Sequence, residues 1–411
     1  MTATFPIVLA VQFLTALADN ALVFGAIALL QSRGAPTWQI PVLQQSFVAA
    51  FIVLAPFVGH LADAWPKGRV MLLSNAVKGF GCLFMVAGVP PLFGYACVGV
   101  GAALYSPAKY GILTEVFPAD RLVWANGWME GVTVVATIAG ALCGGIWASE
   151  GRIDPLPVLL RDWLFGTGAT AAPMAAIAAT ACCYGLASIA SHWVPVSQYG
   201  TQWPGASIRT QALEFRRSAA TLWNDSAGRL SIMVTSLIWG VGTTLRFLIL
   251  AWSATVLQFS IERSSQLTAL VVVGIALGAA WAGHRVPLSR ATRVLRAGPA
   301  LGLTVASMAA VTDWRAALPL LVLIGCLGGY LLVPMNALLQ RRGQLLIGAG
   351  HSIALQNFGE NVSILLLLGA YALLTRLGVL ETAVVGLLGL AIAAGSARFL
   401  CRPSEFSNLS H

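Results

Sequence analysis

Three charged residues inside long apolar stretches are the strongest candidates for chemistry: Asp19, Arg246 and Glu360. A carboxylate at the centre of a membrane-spanning helix costs at least ~2.5 kcal/mol, so it is expected to face protein or water and to have a partner. A guanidinium stays charged there and can bind a carboxylate or a phosphate through two parallel hydrogen bonds. The three residues therefore predict either a binding site for a charged substrate or a permanent structural ion pair.

The spacing of these charges predicts a common depth. Asp19 lies about 14 residues into its apolar run and Arg246 about 16, so each is roughly 20–24 Å from one end of its helix. Glu360 falls near the middle of its own run. We expect Arg246 to hold a phosphate in this layer, and Asp19 and Glu360 to pair with it when no substrate is bound.

Four further residues complete the predicted substrate path. Asn20 is adjacent to Asp19. Gln356 and Asn357 precede Glu360 by four and three residues, which places them on its face of a helix. Lys109 comes late in its apolar run, near a headgroup region, where it is either a snorkelling anchor or a contact for lipid phosphate.

The composition shows what kind of elements must position these residues. Apolar residues make up 58% of the 411 residues and charged residues only 9%, whereas soluble domains carry about 25% charged residues. This excludes an ordinary soluble domain and predicts an all-α polytopic membrane protein. The net charge of +9 is explained by cationic cytoplasmic loops, so no nucleic-acid partner is expected.

Twelve apolar runs, broken by proline, glycine and charge, predict twelve transmembrane helices. The loops after even-numbered runs hold most of the lysines and arginines, which places both termini in the cytoplasm. The runs cover 5–31, 40–62, 70–88, 92–116, 124–148, 171–195, 229–257, 265–283, 294–312, 315–339, 345–376 and 378–400.

The longest polar connection, 196–228, divides the chain into a half at 1–195 and a half at 229–411. The second run ends in Gly59-His60 and the eighth in Gly283-His284, and the fourth and tenth both end in proline followed by a cationic turn. Two six-helix repeats related in this way resemble the major facilitator architecture.

The loop at 59–69 is a candidate gate. It resembles the superfamily's Gly-x-Leu-Ala-Asp…Gly-Arg loop, with Asp63, Lys67 and Arg69 at matching positions and with Pro66 in place of the usual glycine. An aspartate beside cations and a helix N-terminus can hold one conformation through charge and dipole. The alternative is a simple topology anchor.

The segment 149–170 is too short and too charged to span a membrane. An interfacial helix on the outer face, with Trp163 at headgroup level, fits it best.

Seven short motifs together resemble the LplT family of bacterial lysophospholipid transporters, and the Ser-Pro-Ala-Lys-Tyr-Gly run within 105–113 is the most specific of them. The segment 149–170 looks like an insertion relative to that family. The motifs lie at 18–22, 55–59, 99–103, 105–113, 244–248, 334–340 and 356–361.

The resemblance implies a flippase of the bacterial inner membrane. It would move lysophosphatidylethanolamine and lysophosphatidylglycerol to the cytoplasmic leaflet, where a lysophospholipid acyltransferase/acyl-ACP synthetase reacylates them. It also implies that positions matching Asp19, Lys109, Arg246 and Glu360 belong to the headgroup path.

Other functions are less consistent with the sequence. A proton-coupled exporter of small amphiphiles, with Asp19 or Glu360 as proton carrier, is the main alternative. No histidine is followed by aspartate five positions later, which argues against an acyltransferase, and no phosphate-binding Gly-x4-Gly-Lys-Ser/Thr run exists. We therefore expect no catalytic residue and no cofactor, and the seven cysteines show neither disulfide nor metal-ligand spacing.

Overall fold

The computed structural model describes residues 4–36, 39–148, 157–165, 168–194, 208–259 and 261–400. Within these ranges the chain forms fourteen α-helices and no strand. In chain order they are α1 Thr4–Ser32, α2 Gln39–Ala64, α3 Lys67–Val86, α4 Pro91–Val116, α5 Leu122–Ala148, α6 Val158–Phe165, α7 Ala171–Ser191, α8 Ile208–Asn224, α9 Ser226–Thr255, α10 Ile261–Arg285, α11 Gly298–Ser307, α12 Trp314–Leu346, α13 Ala349–Arg376 and α14 Glu381–Leu400.

The predicted apolar runs all coincide with helices. Ten helices in the described part of the chain are long and apolar enough to cross a membrane; α4, with 26 residues, and α11 are the two predicted spans outside that set. The all-helical polytopic fold is therefore confirmed, and twelve spans are consistent with it.

The ninth predicted run, 294–312, is not one continuous α-helix. A 3₁₀-helix, Leu288–Ala297, precedes α11, and a second one, Met308–Ala310, follows it. Arg290, Arg293 and Arg296 are exposed at intervals of three residues, which matches the three residues per turn of a 3₁₀-helix. The predicted α-helix over 294–312 is therefore a 3₁₀-helix up to Ala297, and the α-helix starts at Gly298.

The described helices belong to two compact units. The first comprises Met1–Val116, Val135–Arg216 and Ala349–Ala354. In it α3 packs on α4 and α7, α1 packs on α7, and α2 packs on α4. Leu22, Cys82, Ile177 and Tyr184 belong to its buried core.

The second half of α5 packs on α1 through two glycines. A Cβ at Gly144 would lie 2.6 Å from the carbonyl oxygen of Ala21, and one at Gly140 would overlap the carbonyl oxygen of Leu17. The Gly-x3-Gly spacing thus lets the two backbones approach closely, as is common between helices in membranes.

The second unit comprises Phe117–Val134, Arg217–Gly348 and Leu355–His411. Here α10 packs on α12, α11 on α14, and α12 on α9. Small residues again form the contact between α10 and α12, where a Cβ at Gly274 or Gly325 would overlap backbone of the other helix.

The boundary between the units at residue 216 lies inside the predicted connection 196–228, although each unit also contains a piece of the other half of the sequence. In the segment 149–170, the short helix α6 is present. Residues 149–156 and the side chain of Trp163 lie outside the described part, so the predicted outer-face location stays a prediction.

Candidate functional site: intramembrane charges and a helix-capping aspartate

Asp19 is held within the first unit by one lysine and one tyrosine. Lys78 Nζ on α3 lies 2.8 and 2.9 Å from the two carboxylate oxygens, and Tyr184 Oη on α7 donates to Oδ1 at 2.6 Å. Lys78 is fully buried, whereas Asp19 keeps 27% of its side chain exposed. The carboxylate thus compensates the buried ammonium and still has a face open to a ligand.

This arrangement corrects the predicted partner of Asp19. The similar positions of the two residues in their apolar runs predict Arg246, whereas the structure gives Asp19 a partner in its own unit, Lys78. The packing of α1 and α3 on α7 brings both groups beside Tyr184. The signal in the sequence is Lys78 itself, a lone cation inside an apolar run, which predicts a lysine that either snorkels or is buried and paired. The structure shows the buried pair.

Asn20 points at another helix. Its amide Nδ2 donates to the carbonyl oxygen of Ala16 at 2.8 Å and to Thr137 Oγ1 on α5 at 3.2 Å. Both amide hydrogens are therefore used inside the protein. The geometry favours a role in packing α1 on α5 over the predicted substrate contact.

Arg246, on α9, has an exposed side chain. Among the described residues of its own unit, no carboxylate forms an ion pair with it. An unpaired guanidinium in a membrane-spanning helix is costly unless water or an anionic group reaches it. It can therefore accept a phosphate without first losing a carboxylate from that unit.

Glu360 lies in a buried polar cluster of the second unit. Gln356 Nε2 on α13 donates to Glu360 Oε1 at 2.7 Å and to Asn336 Oδ1 on α12 at 2.8 Å. The predicted shared face of Gln356 and Glu360 is thus confirmed. Asn357, the next residue, is also buried.

The predicted common depth does not hold for Arg246 and Glu360. Two contacts show that helices α9 and α13 run parallel. Ser236 on α9 lies against Gly359 on α13, and Gly240, four residues later on α9, lies against Ser363, four residues later on α13. Arg246 lies six residues beyond Gly240, and Glu360 lies three residues before Ser363. At 1.5 Å per residue they are about 13 Å apart along the helices. The reason is that α9 begins at Ser226, three residues before its apolar run, and α13 begins at Ala349, four residues after the start of its run.

Lys109 on α4 is buried in the first unit. Its Nζ lies 4.3 Å from the ring centroid of Tyr110, a distance typical of a cation–π contact. Its burial fits a fixed intraprotein contact better than an extended snorkelling chain.

Asp63 caps the N-terminus of α13. The backbone N–H groups of Gly350 and His351 donate to its Oδ1 at 2.6 Å and its Oδ2 at 3.1 Å, and His351 Nδ1 lies 2.7 Å from Oδ2. Gly348, directly before α13, has φ 98°, a conformation that favours glycine. The carboxylate thus meets both the free N–H groups and the positive end of the helix.

The two predicted gate cations behave differently. Lys67 is buried and lies 3.8 Å from Asp63 and 3.3 Å from Glu115, and it also donates to the carbonyl oxygen of Ala62. Arg69 is exposed. The predicted set of an aspartate, a cation and a helix N-terminus is therefore present in the first unit, with Lys67 as its cation.

Comparisons with known proteins identify the family. The family model described as Major Facilitator Superfamily matches residues 8–366. Lysophospholipid transporter LplT of Klebsiella pneumoniae subsp. pneumoniae is 43% identical over 380 residues, which cover 92% of this chain and 90% of the relative. The chain belongs to the LplT family of the major facilitator superfamily. The protein of the same name from Yersinia pestis (strain Pestoides F) is 42% identical over 374 residues, covering 90% and 86%.

Solved structures support the same fold. The human organic anion transporter MFSD10 has a TM-score of 0.71 at 15% identity, with 95% of this chain and 98% of that chain covered. The fucose:proton symporter FucP of E. coli has a TM-score of 0.71 at 14% identity, with 96% and 98% covered. At these identities the likeness concerns the fold alone.

Two contacts, a buried one between two amides and a partly buried ion pair, are not indicated by the sequence. Asn126 on α5 and Gln340 on α12 exchange two amide hydrogen bonds of 2.8 Å. Asp225 accepts from the backbone N–H of Gly228 at 2.8 Å and from Arg342 Nε at 3.1 Å, and so caps α9.

The apolar run that ends at residue 339 predicts a turn at Arg342, whereas α12 continues to Leu346 and carries Arg342. Although burial raises the pKa of Asp225, the hydrogen bonds from Arg342 and Gly228 bring it below its ordinary value. The carboxylate is therefore ionised at neutral pH and stabilises the start of α9.

Proposed function

We propose that the chain is a lysophospholipid transporter of the bacterial inner membrane. It moves lysophosphatidylethanolamine and lysophosphatidylglycerol to the cytoplasmic leaflet by alternating access, with lateral entry of the lipid and with both termini in the cytoplasm. The observation that carries this proposal is the identity of 42–43% to lysophospholipid transporters over nine-tenths of the chain. The reaction partner downstream is an acyltransferase/acyl-ACP synthetase that restores the second acyl chain.

Arg246 is the proposed phosphate ligand. Its exposed guanidinium can hold the phosphodiester, the group that the ethanolamine and glycerol lipids share, through two hydrogen bonds. The charge of the bound phosphate then offsets the cost of a cation inside the membrane.

Asp19 is the proposed ligand of the ethanolamine ammonium. Lys78 and Tyr184 fix its carboxylate in one orientation, and its exposed face leaves room for a second cation. The glycerol headgroup has hydroxyls in place of the ammonium and can donate to the same oxygens. Glu360, with Gln356 and Asn336, offers a second polar surface for the headgroup.

Asp63 is the proposed gate. Charge-assisted hydrogen bonds to the N-terminus of α13 are each worth about 1.5–3 kcal/mol, enough to favour one conformation in an alternating-access cycle. Breaking and remaking this cap would accompany each transport cycle.

The test is lysolipid flux in proteoliposomes made with the purified full chain. A lysophosphatidylethanolamine with a labelled headgroup is added to one leaflet, and its loss from that leaflet is followed by chemical quenching. We expect a rate well above that of protein-free vesicles, whether or not a proton gradient is imposed. A flux that stops when the gradient is collapsed would favour a proton-coupled exporter, and no protein-dependent flux would contradict the proposal.

A further inference from the structure

A second candidate site lies beside the Asp63 cap, in the first unit. His60 on α2, His351 on α13 and Glu214 on α8 place one possible ligand atom each within 4.8 Å of the others. The two histidines are buried, and their rings meet edge to face with centroids 5.9 Å apart. Two imidazoles and one carboxylate are a ligand set that suits zinc.

The hydrogen bond of His351 supplies an independent sign of a metal ligand. Its Nδ1 lies 2.7 Å from Asp63 Oδ2, which leaves Nε2 as the nitrogen available to a metal. Histidines that bind metals almost always donate their other ring N–H to a carboxylate or carbonyl, which fixes the tautomer and the ring orientation. Asp63 is thus placed as the outer partner of a carboxylate–histidine–metal arrangement.

The three possible ligand atoms lie at most about 1.5 Å farther apart than ligands around a bound zinc ion. Ligands at about 2.0–2.2 Å from zinc in a tetrahedral site are some 3.3 Å apart. Glu214 is exposed on α8, so its side chain can change rotamer to shorten its own distances to the two histidines, each at most 4.8 Å.

We propose that His60, His351 and Glu214 bind one Zn²⁺ ion, with water as the fourth ligand. The ion would join α8, in the connection between the halves of the sequence, to the end of α2 and the start of α13. It would therefore hold His351 and Asp63 in the capped arrangement and slow transport. This regulatory consequence rests on the proposed function, whereas binding of the ion does not.

The binding test uses purified full-length protein in detergent, with Zn²⁺ competing against a chromophoric chelator. We expect one ion per chain, and Glu214→Gln and His60→Gln should each weaken binding by roughly tenfold or more. His192→Gln and His284→Gln remove exposed histidines outside the cluster and should leave the affinity unchanged. No bound zinc, or the same loss in all four variants, would overturn the site.

The second readout separates this inference from the proposed function. Zn²⁺ should raise the melting temperature of the wild type and slow its lysolipid flux, and both effects should be absent in Glu214→Gln and reversed by EDTA. Since Glu214 is exposed, this variant is expected to fold. Binding without slower flux would overturn the coupling to the gate, and flux in the absence of zinc tests the proposed function on its own.

Discussion

At the scale of single residues, the first unit contains a fully buried ammonium, that of Lys78. It lies between the carboxylate of Asp19 and the rings of Tyr105 and Tyr184, 5.1 and 5.5 Å from their centroids. A buried charge that loses its partner is strongly destabilising, whereas replacing both partners is often tolerated. The pair therefore has a structural role in addition to any part in binding.

This predicts an asymmetry between the two partners. Asp19→Asn leaves the buried ammonium without its countercharge and should cost on the order of 3 kcal/mol, seen as a lower melting temperature of the purified protein. Lys78→Met should cost less, because water and Tyr184 still reach the carboxylate. The double variant should recover stability but not transport, and a double variant as unstable as the sum of the single ones would contradict this account.

Arg246→Ala should abolish flux of both lysolipids while the protein still folds, because the group that holds the shared phosphate is lost. Arg246→Lys keeps a charge without the bidentate geometry and should retain a fraction of the rate. The matched control is Arg315→Ala, which removes an exposed arginine at the N-terminus of α12. Normal flux in Arg246→Ala would contradict the proposed role.

The charged residues of the candidate site could be predicted from the sequence, but their ion-pair partners could not. Asp19, Arg246 and Glu360 stand out because charge inside an apolar run is costly. The pairing of cations with carboxylates depends on how the helices pack. Asp19 pairs with Lys78 because α1 and α3 both pack on α7. The buried pair of Asn126 and Gln340 gave no signal, because amides 214 residues apart show no local pattern.

At the scale of elements, the N-terminus of α13 is capped by a residue of α2, Asp63. Asp63→Asn removes the negative charge, keeps one acceptor, and should weaken the cap by about 1 kcal/mol. We expect a changed rate of lysolipid flux with little change in the melting temperature. Asp120→Asn is the control, since Asp120 is exposed in the 3₁₀-helix Ala119–Arg121. Equal effects of both variants on flux would argue for a topology anchor.

The contact between α1 and α5 makes a second prediction at this scale. Gly144→Leu must push the helices apart, because even a Cβ there would lie 2.6 Å from the carbonyl oxygen of Ala21. The expected loss is about 1–3 kcal/mol from overpacking, measured by thermal unfolding. Gly145→Leu is its control, since no atom lies within 4 Å of a Cβ there. Similar losses in both variants would contradict the packing.

Hydropathy predicted the membrane-spanning helices, but it predicted neither α8, which lies inside the polar connection 196–228, nor the ends of several helices. Hydropathy located every predicted helix, since crossing a membrane requires a long apolar run. It placed the end of α12 too early and the start of α9 too late, because capping by Asp225 and pairing with Arg342 extend both helices into polar sequence. The late start predicted for α9, together with a start predicted too early for α13, at 345 instead of Ala349, led to the wrong relative depth of Arg246 and Glu360.

At the scale of the whole molecule, family and fold agree. The chain has the helices of a major facilitator transporter and matches LplT relatives over nine-tenths of its length. The sequence could predict this because topology and short motifs are spread along the chain. It could not predict the His60, Glu214 and His351 cluster, which only the fold brings together from three distant segments.

The most direct test of the account compares substrates in one preparation. Flux of lysophosphatidylethanolamine, lysophosphatidylglycerol and a single-chain glucoside of equal chain length is measured in the same proteoliposomes, each corrected for protein-free vesicles. We predict protein-dependent flux for both lysophospholipids and none for the glucoside, which lacks a phosphate. Equal flux of the glucoside, or no flux of either lysophospholipid, would contradict the claim that this protein transports lipids by their phosphate headgroup.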